Sequence, residues 1–499
     1  MSVRSRRKPF RAVLGWTVLG AVLPGLGYVA AGRRRLGYAV LVLLGMLLMA
    51  SLGVFLAEPN LKLLVAEIAS RPDWLLVVGV GAVALAVLWI VVILTSHRML
   101  VPRRAPGWQQ AIGGLVALVL CAGVAVPSGI ASRDSFATYD LVTRVFADGN
   151  PAPPYPGSTA TAQPIDRRKP WAGKPRLNIL LLGGDAGDDR TGLRTDTMIV
   201  ASIDTTTGAT VLFSLPRNME DAPFPEDSPL HASWPHGFNC GYNGGCILNA
   251  VYELGEAHAD EFGLPPEEAG IAAIQGAVGE TLGLSIDYHM LVDLEGFQQL
   301  VDALGGVTVD VGPTRVPIGG LDIEGHAQPA WKIEEWIPSG VQHLNGFQAL
   351  WFARDRWSGD ADDYMRMRRQ RCLLNAVVEQ ATPQNVLANY LDIAQAAKDN
   401  ITTDIPYQLF PALVELGDLV KTQPIRSLPF TKDVIVSAHP DLDLIRTLVQ
   451  RALEPPPATV APSPTDSGPT PPPTSPSGSP TESPTQDPTV AVEADAVCG

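Results

Sequence analysis

The sequence predicts an α/β domain, a mixed β-sheet sandwiched by helices, preceded by an α-helical transmembrane region. Three observations predict it. Four apolar stretches of spanning length precede residue 133. Between residues 176 and 453, short apolar runs of strand length alternate with longer helical patterns. Segments rich in proline bound that region on both sides. The chain of 499 residues therefore divides into a transmembrane region (1–133), a stalk (134–175), a globular domain (176–453) and a Pro/Ser/Thr-rich tail (454–499). The tail is expected to be disordered, because its composition cannot bury a core.

The apolar stretches are Ala12–Gly32, Leu36–Ala57, Trp74–Thr95 and Ile112–Ile130. The second and third are nearly free of charge and read as spanning helices, and the fourth is long enough to span. The first contains Leu23-Pro24-Gly25, which interrupts a continuous helix. Positive charge orients the array. The basic loop from His97-Arg98 to Arg103-Arg104 belongs on the cytoplasmic side, so the fourth span runs outward and the globular domain lies outside the cytoplasm. Arginines flank the first stretch at both ends, which favours a re-entrant hairpin bent at Pro24-Gly25 over a span.

Within the domain, Leu177–Leu182 reads as a buried strand that runs into Gly183-Gly184-Asp185. Thr197–Ile203 and Thr210–Leu215 flank Asp204–Gly208 and read as a hairpin. Pro265-Pro266-Glu267-Glu268 opens a helix that stops near Gly283, with proline and acids in its first turn. Tyr288–Val292 and Val307–Val311 read as strands around a helix over Glu295–Leu304. Leu344–Ala353 and Asp362–Gln380 are helical, and further helices follow.

Charge is unevenly distributed. Met1–Gln110 holds 13 Lys/Arg against 3 Asp/Glu, a balance of +10, so with a total of −14 the remainder carries −24. Such an acidic remainder excludes general nucleic-acid binding, which needs a broad basic footprint. Against that background Ala353-Arg354-Asp355-Arg356 and Asp363-x-x-Arg366-x-x-Arg369-Gln370 concentrate guanidinium in one region. Guanidinium is permanently charged, and its planar fork matches phosphate oxygens. Asp363, Arg366 and Gln370 share a helix face by their spacing of three and four, and Arg369 is close enough to join it. The bland alternative is a solvated helix with surface ion pairs. Asp185 follows the first strand, Arg194-Thr-Asp196-Thr opens the second, and Leu215-Pro-Arg217-Asn218 ends the third. Carboxylates at strand ends hold Mg²⁺ through oxygen, and arginines clamp the phosphate oxygens that the metal leaves uncovered. Each segment is weak evidence alone; together they read as a site for a metal-bound pyrophosphate.

This combination resembles the LytR-CpsA-Psr family of cell-wall glycopolymer transferases. The resemblance covers roughly Asn178 to Gln380 and also rests on Leu248-Asn-Ala-Val-Tyr252, on Asp293 to Val309 with Gly305-Gly306-Val307, and on Leu344-Asn-Gly346. It implies a membrane-anchored, extracytoplasmic phosphotransferase. Its donor would be a polyprenyl-pyrophosphate-linked glycan with the prenyl chain in an apolar cavity, its acceptor a hydroxyl of peptidoglycan, and polyprenyl phosphate its leaving group. By motif, Asp185 and Asp196 correspond to Mg²⁺ ligands. Arg194, Arg217, Arg354, Arg356, Arg366, Arg369 and Gln370 correspond to pyrophosphate contacts. Asp363 would orient Arg366 or the arginine pair, and Asp355 and Asp363 are the candidates for a general base by sequence proximity alone.

The chain departs from the family at Asn218, where the usual residue is aspartate; an amide cannot act as a base and is a poor metal ligand. Two alternatives share the same residues: a prenyl-pyrophosphate phosphatase, with water in place of the sugar hydroxyl, and a non-catalytic membrane-bound regulator or glycolipid-binding module. Cys240 and Cys246 lie close together in a Gly/Asn/Pro-rich loop and are candidates for a local disulfide in an extracytoplasmic domain. His231 and His236 in the same region lack a third ligand and read as ordinary loop residues.

Overall fold

The computed structural model describes residues 9–57, 60–102, 105–148, 153–156, 158, 165–166, 169–171, 173–184, 194–241, 245–319, 328–355, 363–454 and 487–493. The chain divides into two compact units, residues 1–149 with 406–415, and residues 150–405 with 416–499.

The first unit begins with α1 (Phe10–Val22) and α2 (Leu26–Ala30), followed by α3 (Arg34–Ala57), α4 (Leu61–Ala69), α5 (Pro72–Leu100) and α6 (Gly107–Val145). Helices α3, α5 and α6 are long and apolar enough to cross a membrane. The first apolar stretch breaks where proline and glycine predicted. Gly25 has φ +112°, a conformation that only glycine adopts at low cost, and it turns the chain between α1 and α2. A Cβ on Gly20 would fall 2.9 Å from the backbone nitrogen of Gly27, so the two short helices meet through glycine. Thr17 Oγ1 lies 3.0 Å from His97 Nδ1 of α5, and Trp89 donates to the Ala21 carbonyl at 2.8 Å. Helix α6 continues to Val145, through the segment where the stalk was expected to begin.

The second unit is built on a seven-stranded mixed sheet. Its strands are β1 (Arg176–Gly184), β2 (Thr195–Asp204), β3 (Thr210–Ser214) and β4 (Tyr288–Asp293), with α7 (Val251–Ala257), α8 (Ala259–Phe262) and α9 (Pro266–Leu282) between β3 and β4. Then come α10 (Leu294–Ala303), β5 (Val307–Asp310), β6 (Val316–Ile318), β7 (Glu335–Ile337), β8 (Val341–Leu344), α11 (Gly346–Arg354) and α12 (Asp363–Gln380). The chain closes with α13 (Pro383–Ala388), α14 (Tyr390–Asn400), β9 (Ile401–Thr403), α15 (Phe410–Val420), β10 (Arg426–Pro429), α16 (Leu442–Leu453) and β11 (Val492–Glu493). The sheet order is β11-β10-β3-β2-β1-β4-β9, with β5–β8 and β6–β7 as two separate pairs. β1 pairs antiparallel with β2 and parallel with β4, and β3 pairs parallel with β10. The mixed sheet between helical layers is thus the predicted one.

Strand alternation sends side chains to opposite faces. Leu180 and Leu182 of β1, with Met198, Val200 and Phe213, pack against Ile274 and Val278 of α9 and Leu448 of α16. On the other face Ile199, Ala201 and Leu212 meet Leu181, Ile425 and Leu374 of α12. Helix ends follow their sequence signals: α9 starts at Pro266 with Glu267 and Glu268 and stops at Gly283, φ +64°. Helix α11 opens with a reciprocal capping box between Asn345 and Gln348.

The tail differs from expectation at one point. Val492 and Glu493 pair with Ser427 and Arg426 and so add an edge strand, although their surroundings in sequence read as unable to fold. Backbone hydrogen bonds supply what side-chain burial does not. Cys240 and Cys246 form a disulfide, with Cα atoms 5.4 Å apart. Cys372 of α12 is disulfide-bonded as well.

Candidate active site

A cavity of about 640 Å³ opens between the second sheet face and the helices α10, α11 and α12. Its floor is apolar: Leu181 of β1, Ile199 of β2, and Met290 and Val292 of β4. Its roof includes Phe297 and Leu300 of α10, Leu350 of α11, and Leu373, Leu374 and Val377 of α12. Asp196, Arg217 and Arg366 contact one another and form a polar end. Arg194, Thr197, Asn249, Asp293, Arg354 and Gln370 also line the cavity. Helix α12 displays the gradient along a single face. Arg366 and Gln370 come first, and Leu373, Leu374 and Val377 follow, over about 16 Å of helix at 1.5 Å per residue. A long apolar chain with an anionic head matches that distribution.

Asp196 organises the polar end. Arg217 Nη1 donates to its Oδ1 at 2.8 Å. Arg366 Nη2 donates to its backbone carbonyl at 3.2 Å, with Nη1 3.6 Å from Oδ2. Arg366 is 2% exposed, so its charge is held in a largely dry environment where an anion is worth more than in water. Arg217 follows β3 in a loop fastened on both sides. The Asn249 N–H donates to the Arg217 carbonyl at 3.0 Å, and the Leu248 N–H donates to the Met219 carbonyl at 2.8 Å. Arg194 sits 3.8 Å from Glu253 with both side chains well exposed, a weak pair. Arg354 reaches the cavity as the last residue of α11.

The predicted site residues are therefore only partly brought together. Arg194, Asp196, Arg217, Arg354, Arg366 and Gln370 line one cavity. Asp185 and Arg356 lie outside the described residues, as does the side chain of Asp363, which opens α12. Arg369 is not among the lining residues; its Nη1 donates to the Asp355 carboxylate and to the Asp355 carbonyl, and its guanidinium stands 5.5 Å from the Phe352 ring. Three residues on an α-helix advance about 300°, so Arg369 is turned some 60° from Arg366, enough to cross from the cavity into the α11 interface. Asp355 is engaged there as a buried counter-ion. Asn218 is not among the lining residues either, and its Oδ1 is buried with no hydrogen-bond partner among the described residues.

Two lining residues were not picked out as site residues. Asn249 lies within a motif used for the family resemblance, and Asp293 ends β4 beside Gly184 and caps α10 through Gly296. Burial pushes the Asp293 carboxyl above its usual range. Among the described residues, no three His, Cys, Asp or Glu side chains gather as a metal site. His231 Nδ1 instead lies 3.0 Å from the Phe224 carbonyl, and His236 is exposed. Among the described residues two carboxylates line the cavity: Asp196, which already serves two arginines, and Asp293, whose Oδ1 caps Gly296.

A family model described as the LytR_cpsA_psr family matches residues 157–437. The polyisoprenyl-teichoic acid–peptidoglycan teichoic acid transferase TagU of Oceanobacillus iheyensis is 30% identical over 232 residues, 46% of this chain and 60% of that protein. Biofilm regulatory protein A of Streptococcus mutans is 29% identical over 252 residues, 49% of this chain and 54% of that protein. The chain thus spans a little over half the length of these curated relatives. The crystal structure of TagV from B. subtilis shares 23% identity with a TM-score of 0.38, over 56% of this chain and 97% of that one. With more than half of its residues matched, this chain belongs to the LytR_cpsA_psr family.

Proposed function

We propose that this protein is a membrane-anchored, extracytoplasmic phosphotransferase that moves a glycopolymer from a polyprenyl-pyrophosphate carrier to a hydroxyl of peptidoglycan. One observation carries the reading: a largely apolar cavity lined also by Arg194, Arg217, Arg354 and Arg366, with Arg217 and Arg366 bound to Asp196. The apolar length suits a prenyl chain, and the arginines suit the two phosphates. In the reaction, the acceptor oxygen attacks the glycan-side phosphorus and the bond to the bridging oxygen breaks. Polyprenyl phosphate leaves with that electron pair, and the proton of the acceptor hydroxyl passes to solvent. Phosphoryl transfer asks the protein mainly for positioning and for neutralisation of oxygen charge. Arg217 and Arg366 are held by Asp196 before substrate arrives, so little reorganisation is required of them. Teichoic acid transferases among the relatives support this class of donor and acceptor.

Mg²⁺ belongs to the proposal as a phosphate-neutralising cation. Asp196, Asp185 and the substrate's own oxygens would form its oxygen set. The family and the carboxylate chemistry support it, and the described residues alone do not compose the site.

The test uses the full chain purified from membranes, with Mg²⁺ and geranylgeranyl diphosphate as probe. Turnover is followed by release of the prenyl monophosphate, with a muropeptide acceptor added and omitted. Arg354→Ala and Arg366→Ala should each lower the rate on the order of 10²–10³-fold, as loss of a preorganised charge-stabilising donor does elsewhere. Release that is indifferent to both arginines would overturn the proposal.

A further inference from the structure

We propose that Asn249 is a substrate-binding residue of this same site, its side-chain amide donating to a phosphate oxygen of the prenyl diphosphate; this rests on the function proposed above. Asn249 is 4% exposed, and the little surface it retains opens on the polar end of the cavity. Buried amides in folded proteins are hydrogen-bonded as a rule. The Asn249 side chain makes no hydrogen bond among the described residues, although neither amide atom is sealed from the cavity.

Its position is fixed from the backbone. The Asn249 N–H donates to the Arg217 carbonyl, the preceding Leu248 N–H to the Met219 carbonyl, and the Ala250 N–H to the Ile247 carbonyl at 2.9 Å. Val251 and Tyr252, which follow, are buried in the core. Asn249 and Arg217 therefore move as one piece, and Arg217 is the residue bound to Asp196. An amide needing a partner, on a backbone tied to that of Arg217 and lining the same cavity, is preorganised to donate to an anion. Arg354, Arg366 and Gln370 approach the same ligand from α11 and α12, whereas Asn249 approaches from the segment before α7. Two separate walls can thereby grip the diphosphate.

Binding of geranylgeranyl diphosphate and of geranylgeraniol to the full chain in detergent tests this by isothermal calorimetry. Loss of one hydrogen bond to a charged group corresponds to about 1.5–3 kcal/mol, so Asn249→Ala should weaken diphosphate binding on the order of 10–100-fold. Asn249→Asp, nearly isosteric, should weaken it further by setting a negative charge against the phosphates. Neither should change binding of the alcohol, and Asn249→Ala should not lower the thermal midpoint appreciably, because the side chain supports no internal hydrogen bond. Asn249→Ser, which keeps a donor, should fall between wild type and alanine. Wild-type affinity for the diphosphate in both Asn249→Ala and Asn249→Asp would overturn this inference while leaving the function standing, provided Arg366→Ala loses binding. Absence of diphosphate binding by the wild-type chain would overturn the functional reading itself.

Discussion

The Asp355–Arg369 pair offers the sharpest separation of scaffold from site. Asp355 is 4% exposed and Arg369 7% exposed, and Arg369 Nη1 donates to the Asp355 carboxylate. Burial pulls the Arg369 guanidinium down in pKa, and the adjacent carboxylate opposes that shift. Asp355→Ala leaves a buried cation without its counter-charge, which costs about 3–5 kcal/mol. For a domain of this size each kcal/mol corresponds to about 2–4 °C, so the midpoint should fall by roughly 6–20 °C. Replacing both partners by apolar residues of similar volume, Asp355→Leu with Arg369→Met, removes the unpaired charge along with the bond and should recover most of the loss. Circular dichroism of the solubilised full chain gives the midpoints, and calorimetry with geranylgeranyl diphosphate gives binding below them. The double variant should bind within a few-fold of wild type, since Arg369 does not line the cavity. If Asp355→Ala left the midpoint unchanged, or if the double variant were stable and unable to bind, Arg369 would be a ligand contact after all and the helical-face argument would fail.

Two further outcomes follow from buried charge. Arg371 is 2% exposed, its Nε and Nη1 have no hydrogen-bond partner among the described residues, and burial brings its pKa down to about 10. Arg371→Met should therefore raise stability, on the order of 1–4 kcal/mol in urea denaturation, and a loss of stability would mean that an ordered water or anion satisfies the guanidinium. The Asp293 carboxyl is raised by burial, so the folded state binds more protons than the unfolded chain between the unfolded carboxyl pKa of about 4 and its higher native value. Stability is fully present below that window and declines as pH rises through it. Asp293→Asn keeps the cap on Gly296 and removes the ionisation. Its stability should equal wild type at acid pH and exceed it at neutral pH, and an unchanged pH slope would refute the assignment.

The strands and the arginine motif were legible because each is a local pattern. An apolar run bounded by glycine reads as a strand, and guanidinium clustered in an acidic domain reads as an anion site. Which arginines serve the anion is not a local property. Arg366 and Arg369 differ by three residues and by some 60° of helix, and Phe352 and Asp355 on another helix decide which of them faces the cavity. Asn249 was hidden for a related reason. Its placement depends on backbone bonds to residues 217 and 219, and nothing in an asparagine's neighbours along the chain reveals such bonds. The cavity itself is the clearest case. Leu181 and Ile199 line it, while Leu180 and Val200, of the same chemical kind and one residue away, pack solidly against helices on the opposite face. Alternation along a strand tells which side chains share a face, but both faces here are apolar. A packed core and an apolar lumen thus share one sequence signature. They differ in whether a protein side chain fills the opposing space or leaves it for a ligand, and that is set by how far α10, α11 and α12 stand from the sheet.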